Sequence, residues 1–560
     1  MARRRSRPSA RSQPLDRLAL MVMAALALAL GLLVLSGDHA TARVRDFTWQ
    51  DRQVGTEDRA FLLTFSRPMD VASVEQNLSF TPPLPGKVSW AGRRMAYTLT
   101  EPLPYGETFT VSLQAARDRY AAGADRPSRF EPFSGQFETR PRAFLYIGAV
   151  GEEANRLVMA DLGRQERTIL TPKDLSVIAF KPYPLGDKVL FSASDPSQSR
   201  GLLDQQLYTV TTGLAPRPPV DLAGQQPPLW RRLLPQGGPA SSGELELVLD
   251  NRDYQNLKFD LSPDGQTIVV QRVNQQDPAD FGPWLVRDGS PPQPLETEPG
   301  GDFLIAPDSQ SLLLLQGQGT AIIDLTEEAT RGPRQPLDFL PNYGRVLDMA
   351  ADGSAAAMVN FNQDDPEKRF TESLVLVTNQ GREEELLQVN GSFAEAQFDP
   401  TQQVLYVLAN ERIDDPAAAE PATLQAEGSY VDQPLLLAIT LANGEVTPLL
   451  RLPQQQRIHM SVAPDGRSLL LDLVGSGAPD PTQGPKIWHL PIVQRPAEPT
   501  ENAELEAADA DAADSDVAGA PNPTEAADPD ATLAAAPTTV PAVLDPEVFP
   551  FAGNLATWLP

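Results

Sequence analysis

The chain contains no cysteine, which excludes disulfide cross-links, thiolate metal ligands and cysteine nucleophiles. It contains only three histidines, His39, His459 and His489, and this number argues against a multi-histidine metal centre. We therefore expect neither a metal ion nor another bound cofactor.

Basic residues are also scarce, because 46 Lys and Arg face 74 Asp and Glu and leave a net charge of −28. Such a chain would repel a phosphate backbone, so we expect no nucleic-acid partner. Proline is abundant, at 55 of 560 residues, and a proline inside a helix removes a backbone donor and clashes with the preceding turn. A helical bundle is therefore excluded, and the length predicts roughly two to four domains.

The charge is distributed unevenly along the chain. Residues 1–17 carry six arginines and one acid, whereas residues 496–560 carry thirteen acids and neither Lys nor Arg. With +5 at one end and −13 at the other, residues 18–495 account for −20 of the total of −28. The chain thus combines a basic head, an acidic body and an acidic tail.

An apolar run follows the arginines. Residues 18–37 carry no charge, and a helix of this length spans about 30 Å, the hydrocarbon thickness of a bilayer. The positive-inside rule keeps residues 1–17 in the cytoplasm. We predict an uncleaved signal anchor of a single-pass plasma-membrane protein with a periplasmic body. A signal peptide cleaved at Ala40-Thr41-Ala42 stays open, whereas the flanking arginines argue against a buried core helix.

Residues 44–140 contain short strand candidates separated by turns with proline or glycine. The candidates are 61–66, 78–81, 87–90, 95–99, 109–113 and 135–139. Short strands at a spacing of about 8–12 residues predict a β-sandwich.

Three motifs in this region carry a family resemblance. They are Phe65-Ser66-Arg67-Pro68-Met69-Asp70, then Val88-Ser89-Trp90, then Leu103-Pro104-Tyr105-Gly106-Glu107-Thr108-Phe109-Thr110-Val111. In order and spacing they resemble the SbsA-type bacterial Ig-like domain, although Phe109 stands where the family often has tyrosine. Members of that family act mostly as spacers and adhesion modules of envelope proteins. The resemblance therefore implies an Ig-like sandwich with a structural role.

Internal repeats fill residues 143–493. Five variants place a turn before a dense apolar strand, and their turn segments are 261–265, 306–309, 350–353, 398–401 and 463–466, with a degenerate sixth copy at 180–187. The period between Pro263, Pro307 and Ala351 is 44 residues. An Asp-Gly turn allows a tight hairpin, so two strands meet at each copy. Third strands are predicted at 206–210, 284–287, 321–325, 374–378, 435–440 and 486–490.

About four strands for every 40–45 residues predict the blades of a β-propeller. The repeats resemble the WD-repeat-like propeller of TolB-type periplasmic proteins. Strand candidates at 144–150, 157–161 and 167–170 lack the turn, and the last copy lacks a fourth strand. We predict six or seven blades and favour seven. The fold class is all-β: a transmembrane helix, an Ig-like sandwich, a propeller and a disordered acidic tail over 496–560.

Two segments are candidate partner-binding sites. The first is Trp230-Arg231-Arg232, an aromatic and basic cluster inside the insert 213–250. The second is the apolar end of the acidic tail, with Phe549, Phe551 and Trp558. We expect this end to act as a docking peptide, to fold back and supply a missing propeller strand, or to have no function, and the sequence does not choose among the three.

The sequence offers no catalytic constellation. It has neither a Gly-x-Ser-x-Gly elbow nor a phosphate-binding loop, and His459 and His489 lie in predicted strands as structural residues. We therefore predict a non-catalytic, membrane-anchored envelope protein whose propeller binds a protein or an envelope polysaccharide. The alternative is a sensor that binds a small molecule or glycan in the propeller channel, with a glycan-active enzyme ranked below it. The oligomeric state stays open.

Overall fold

The computed structural model describes residues 21–28, 41–56, 58–119, 130–197, 204–214, 241–317, 319–326, 338–340, 343–414, 430–455, 457–473, 484–496 and 539–560. Two compact units divide the chain. The first comprises Met1–Arg52, Ala60–Leu99 and Phe109–Phe137, and the second comprises Gln53–Arg59, Thr100–Thr108 and Glu138–Pro560. The described residues are predominantly strands, which confirms the all-β prediction.

Eight strands and one short helix form the N-terminal sheets. They are β1 Val44–Phe47, β2 Gln53–Val54, β3 Ala60–Phe65, α1 Val71–Asn77, β4 Leu78–Thr81, β5 Gly86–Ala91, β6 Arg94–Leu99, β7 Thr108–Leu113 and β8 Phe133–Thr139. The sheet orders are β1-β3-β6-β5 and β2-β8-β7-β4.

The two N-terminal sheets share an aromatic core. Alternation along β3 buries Phe61, Leu63 and Phe65 completely, as the period of two residues in a strand requires. The ring of Phe61 lies 6.1 Å from that of Phe80 in the other sheet, and the ring of Trp49 lies 4.9 Å from Phe137. The sheets therefore pack face to face as a sandwich, and the Ig-like family assignment stays a prediction.

The remaining strands follow one another with short connections. They are β9 Ala143–Gly148, β10 Leu157–Asp161, β11 Glu166–Ile169, β12 Ser176–Pro182, β13 Lys188–Ser194, β14 Gln206–Thr211, β15 Leu245–Leu249, β16 Tyr254–Leu261, β17 Thr267–Asn274, β18 Phe281–Arg287, β19 Gln293–Pro294, β20 Gly300–Ile305, β21 Ser311–Gln316, β22 Gly319–Asp324, β23 Asp338–Leu340, β24 Arg345–Met349, β25 Ala355–Asn360, β26 Thr371–Thr378, β27 Glu383–Phe398, β28 Val404–Asp414, β29 Tyr430–Thr440, β30 Glu445–Arg451, β31 Met460–Val462, β32 Ser468–Leu473, β33 Lys486–Pro496, β34 Thr539–Val543 and β35 Glu547–Trp558.

These strands form antiparallel sheets in chain order. Three four-stranded sheets hold β12 to β15, β16 to β19 and β20 to β23, and a seven-stranded sheet holds β24 to β30. The last sheet has the order β11-β10-β9-β35-β33-β32-β31, with β34 also paired to β33. Each predicted third strand lies in one of these sheets. Consecutive four-stranded sheets, with a strand from the chain end paired to the first one, are the arrangement of a β-propeller.

The propeller strands fall into groups, each made of about four consecutive antiparallel strands. One backbone hydrogen bond recurs at seven places in the described chain, between the first and second strands of each group. The donor N–H and acceptor C=O pairs are Tyr183 and Lys188, Ser262 and Thr267, Ala306 and Ser311, Ala350 and Ala355, Asp399 and Val404, Ala463 and Ser468, and Leu559 and Ala143. Six of the bonds close a local turn. The seventh joins the end of the chain to the start of β9, so β35 takes the place of the missing first strand.

Two strands pass directly from one group to the next, and each does so at a glycine. In β27 a Cβ at Gly391 would lie 1.9 Å from the Asn410 carbonyl oxygen. In β35 a Cβ at Gly553 would lie 2.3 Å from Cδ2 of Tyr146. Only glycine permits these close approaches. Because β27 continues through Gly391 and pairs with β26 before it and with β28 after it, β24 to β30 form one continuous sheet.

One sequence prediction about the chain ends changes, and the other stays a prediction. Residues 539–560, part of the predicted disordered tail, form β34 and β35, because their apolar residues pair with β33 and β9. Of the predicted span 18–37, the structure describes only residues 21–28, which are helical. Among the described residues we find no helix that is both long and apolar enough to cross a bilayer.

Replacing Trp558 by alanine tests whether β35 closes the fold. Trp558 is 5% exposed and packs on Phe144, so Trp558→Ala should lower the free energy of unfolding by about 3–5 kcal/mol. Val548 of the same strand is 42% exposed, and Val548→Ala should cost less than about 1 kcal/mol. Urea unfolding followed by circular dichroism measures both. Equal midpoints for wild type and Trp558→Ala would contradict closure by β35.

Candidate functional site

The two predicted partner-binding segments have different outcomes. Trp230, Arg231 and Arg232 lie outside the described residues. Phe549, Phe551 and Trp558 all lie in β35. The sequence left the role of this end open, and the structure brings its aromatic residues together within one sheet.

An aromatic cluster holds β35 against the strands beside it. The rings of Phe549 and Phe551 stack 5.2 Å apart, and Phe551 stacks on Tyr146 at the same distance. Phe144 contacts Phe549 at 5.4 Å and Trp558 at 5.7 Å. These rings pack against one another and against β9, as the fold-back alternative expects. A role of this end in partner binding stays a prediction.

The strands at the inner edges of the sheets form a ring, which we call the inner ring: β12, β16, β20, β24, the C-terminal half of β27, β31 and the C-terminal half of β35. Neighbouring members contact one another from β16 through to β35. At the remaining junctions, Lys181 of β12 pairs with Asp260 of β16, while Leu555 and Leu559 pack in the same apolar cluster as Val177.

Polar side chains of the inner ring bind the next strand along. Oδ2 of Asp260 accepts the Ile305 N–H at 2.8 Å, and Oδ2 of Asp348 accepts the Phe398 N–H at 2.8 Å. Oε2 of Glu395 accepts the Met460 N–H at 3.0 Å. A buried carboxylate is costly unless it is hydrogen-bonded, so these bonds both satisfy the charges and join the strands.

A histidine and a second carboxylate fix the closing strand. Nδ1 of His459 lies 3.3 Å from Oε2 of Glu395, and its Nε2 lies 3.2 Å from Oγ1 of Thr557 in β35. Asp472 accepts the His459 N–H at 2.6 Å and the Leu555 N–H at 2.8 Å. The prediction that His459 is structural therefore agrees with its contacts.

A cavity of about 310 Å³ lies between β24, β27 and β31. Its polar lining includes Asp348, Glu395 and Gln397, and its apolar lining includes Phe398 and Val462. Gln397 also binds the next strand, since its Nε2 donates to the Met460 carbonyl at 2.7 Å and its Oε1 accepts the Val462 N–H at 2.9 Å. The cavity can hold a small polar molecule, although its side chains already take part in strand-to-strand bonds.

Burial raises the pKa values of two carboxyl groups and acts in the opposite direction on two histidines. Desolvation raises the pKa of Asp348 to about 6, against the hydrogen bonds from Phe398 and Met349. Desolvation also raises the pKa of Asp472. Burial lowers the pKa of His459, but the bond and charge of Glu395 outweigh it and raise the value. His489 is the opposite case, since burial and Arg142 lower its pKa.

The inner ring also carries cations. Lys181 pairs with Asp260, and Lys258 pairs with Asp302 on the next strand. Burial lowers the pKa of Lys258, with Lys181 and Arg345 adding to the effect. In the described part of the chain, no group of His, Cys, Asp and Glu has the arrangement of a metal site.

Sequence reasoning missed the inner-ring side chains, yet a signal was present. Counting back two residues from each donor of the recurring backbone bond gives Lys181, Asp260, Leu304, Asp348, Gln397, Ser461 and Thr557. All but Leu304 are polar. A polar residue at this fixed position of the repeat therefore indicates which strand of each blade belongs to the inner ring.

Comparison with known proteins gives distant structural likenesses. TolB from Acinetobacter baumannii has 12% identity and a TM-score of 0.35, covering 68% of this chain and 81% of that chain. The periplasmic gluconolactonase PpgL of Pseudomonas aeruginosa has 13% identity and a TM-score of 0.37, covering 62% and 92%. Oligogalacturonate lyase from Vibrio parahaemolyticus has 9% identity and a TM-score of 0.39, covering 60% and 88%.

No family model and no curated protein matches the chain. Likenesses as distant as these assign neither a ligand nor an activity to it.

The raised pKa values predict greater stability in mild acid. A carboxyl or imidazole whose pKa is higher in the folded state binds protons more tightly there, so its contribution grows as the pH falls below that value. From pH 8 to pH 5 the melting temperature should therefore rise, by about 1–2 °C from Asp348 alone. Differential scanning calorimetry at both pH values measures it.

Asp348→Asn is the diagnostic variant, and Asp364→Asn is its matched control. Asp364 is exposed, so its substitution removes the same charge without touching the inner ring. The pH-dependent rise should shrink in Asp348→Asn and persist in Asp364→Asn. An equal rise in both variants would mean that general charge repulsion, and not the buried carboxyl, sets the pH dependence.

Proposed function

We propose that the chain is a non-catalytic, membrane-anchored envelope protein whose seven-bladed propeller is a rigid binding platform for another protein or an envelope polymer. Seven copies of one backbone bond support the blade count, because each copy joins the first and second strands of one blade. The strands then divide into seven groups, with β35 serving both the last group and the first.

One observation carries the proposal: the inner-ring carboxylates are engaged in binding neighbouring strands. Asp260, Asp348 and Glu395 each accept a backbone N–H from the next inner-ring strand, and Asp472 of the adjacent strand β32 accepts one from β35. A general acid or base needs a proton-transfer site within reach of substrate, whereas these oxygens hold the ring together. The arrangement favours a stiff scaffold over a catalytic centre.

The order of segments along the chain supports an anchored body. The arginine-rich residues 1–17 and the uncharged run 18–37 precede all strands of the sandwich and the propeller. Positive charge before an apolar run of 20 residues orients a signal anchor with its body outside the cytoplasm. The strands of the sandwich come next in the chain, and those of the propeller follow them.

Deleting residues 497–538 tests whether this segment takes part in partner binding. These 42 residues contain eleven acids and no Lys or Arg, and they connect Pro496 to Thr539, which are paired across the β33–β34 hairpin. A short Gly-Ser turn can therefore replace the whole segment without moving either strand. We propose that this acidic segment contributes to binding a basic partner surface.

Cross-linking and affinity purification from native membranes tests the platform. The variants are the full chain, the 497–538 deletion, and a triple variant with Trp230→Ala, Arg231→Ala and Arg232→Ala. We expect one partner to be recovered with the full chain and at least about tenfold less with the deletion or the triple variant. The melting temperatures of both variants are measured as a control and should match that of the full chain.

The outcomes separate the elements of the platform. Loss in the deletion alone assigns binding to the acidic segment, and loss in the triple variant alone assigns it to the Trp230 cluster. Recovery of no partner by the full chain in intact membranes would overturn the platform proposal.

A second candidate function is recognition of a small polar molecule or glycan, and the cavity of about 310 Å³ is the observation that favours it. A ligand at about 100 times its dissociation constant should stabilise the fold by about 2.7 kcal/mol, which a thermal-shift screen of envelope sugars detects. Ala351 lines the cavity and is exposed, so Ala351→Trp should abolish the shift. Ala91→Trp, on an exposed strand of the sandwich, is the control and should retain it.

A further inference from the structure

One end of the sandwich collects exposed arginines. Six exposed arginines lie there: Arg43, Arg45, Arg93, Arg94, Arg117 and Arg119. They come from three separate parts of the chain, so the sequence alone does not show that they are neighbours. We call this group the arginine end.

Strand register places the first four arginines together. The Ser66 N–H donates to the Arg43 carbonyl at 2.9 Å, and the Phe65 N–H donates to the Arg93 carbonyl at 2.9 Å. Arg94 pairs with Thr64 across β3 and β6. Arg45 is the extra residue where the register shifts in β1. All four therefore lie at the level where β3 ends.

The chain after β3 brings the other two arginines to the same end. The Arg119 N–H donates to the Pro68 carbonyl at 3.0 Å, and the Asp70 N–H donates to the Arg117 carbonyl at 2.9 Å. Met69 bridges Asp118 between these contacts. The end of β3 and the segment after β7 thus present their arginines side by side.

Few carboxylates offset this charge. Asp118 is buried and lies 3.6 Å from Arg67, and Glu131 lies 4.0 Å from Arg43 in an exposed pair. In the described part of the sandwich, no carboxylate forms an ion pair with Arg45, Arg93, Arg94, Arg117 or Arg119. An exposed arginine gains little from the fold, so this concentration of charge suits an external anion.

The short distance along the chain between the apolar run and Arg43 indicates which anions lie near the arginine end. The run ends at Gly37, and Arg43 is six residues further, a distance of about 20 Å at full extension. If residues 18–37 are the anchor, the arginine end cannot leave the neighbourhood of the lipid headgroups. Guanidinium groups bind phosphate through paired hydrogen bonds, and several of them together bind anionic membranes.

We propose that the arginine end binds anionic phospholipid headgroups and so holds the sandwich on the membrane surface instead of leaving it free on its tether. The proposal rests on the membrane anchor of the proposed function. It assigns the arginines a lipid partner, which the platform proposal does not require.

The absence of native cysteine gives a direct test with the full chain in vesicles. Ala91→Cys places a fluorophore beside the arginine end, since Ala91 pairs with Arg94, and Thr98→Cys places one further along the same sheet. Both residues are exposed. Vesicles containing about 30% phosphatidylglycerol and a headgroup-linked quencher should quench the label at 91 at least about twofold more than the label at 98.

Charge variants distinguish electrostatic binding from mere proximity. Replacing Arg45, Arg93, Arg94 and Arg119 by glutamine should reduce quenching at 91 to the level at 98, whereas the same four changes to lysine should keep it. Sodium chloride at about 0.5 M, which shortens the Debye length to about 4 Å, should act like the glutamine variant. Pure phosphatidylcholine vesicles should give the low value throughout.

Failure of the anchor and failure of the arginine proposal give different results. If carbonate extracts the chain from vesicles, the anchor is wrong, and flotation of the extracted chain with anionic vesicles then decides lipid binding alone. If the chain resists extraction but quenching at 91 matches that at 98, the arginine proposal is overturned and the anchor stands. Equal quenching by anionic and neutral vesicles also overturns it.

Discussion

A strand at the edge of a sheet exposes a row of N–H and C=O groups that must find partners, and the fold depends on how the edge of β9 finds one. The N-terminal group of propeller strands holds only β9, β10 and β11 before the next sheet begins. β35 supplies the missing strand from the other end of the chain, and Leu559 donates to the Ala143 carbonyl at 3.0 Å. Without this pairing both β9 and β33 would be open edges.

Closure by a terminal strand makes the inner ring a continuous chain of contacts. Each carboxylate that accepts an N–H from the next strand is stabilised only while that strand is in place, because an unbonded buried carboxylate is costly. The aromatic packing of β35 and the bonds from Asp472 and His459 therefore depend on each other. Burial raises the pKa values of Asp348 and Asp472, and the neighbouring Glu395 raises that of His459 against the effect of burial.

The sandwich uses its charge differently. Its core is closed by aromatic rings such as Trp49, Phe61 and Phe137, which need no ionic support. The six arginines of the arginine end lie outside that core and are exposed. One acidic chain therefore uses buried charge to join strands in the propeller and keeps a group of exposed charges on the sandwich.

The sequence by itself determined the all-β class, the repeated hairpins and the positions of the third strands, because turn residues and apolar runs act locally. It left open the role of Phe549, Phe551 and Trp558, since pairing between β35 and β9 joins opposite ends of the chain and leaves no local signal. The inner-ring bonds of Asp348 and Glu395 likewise exist only between strands far apart in sequence. The arginine end arises the same way, from register across β1, β3 and β6. Only the tertiary structure decides such contacts, because they depend on which strands become neighbours.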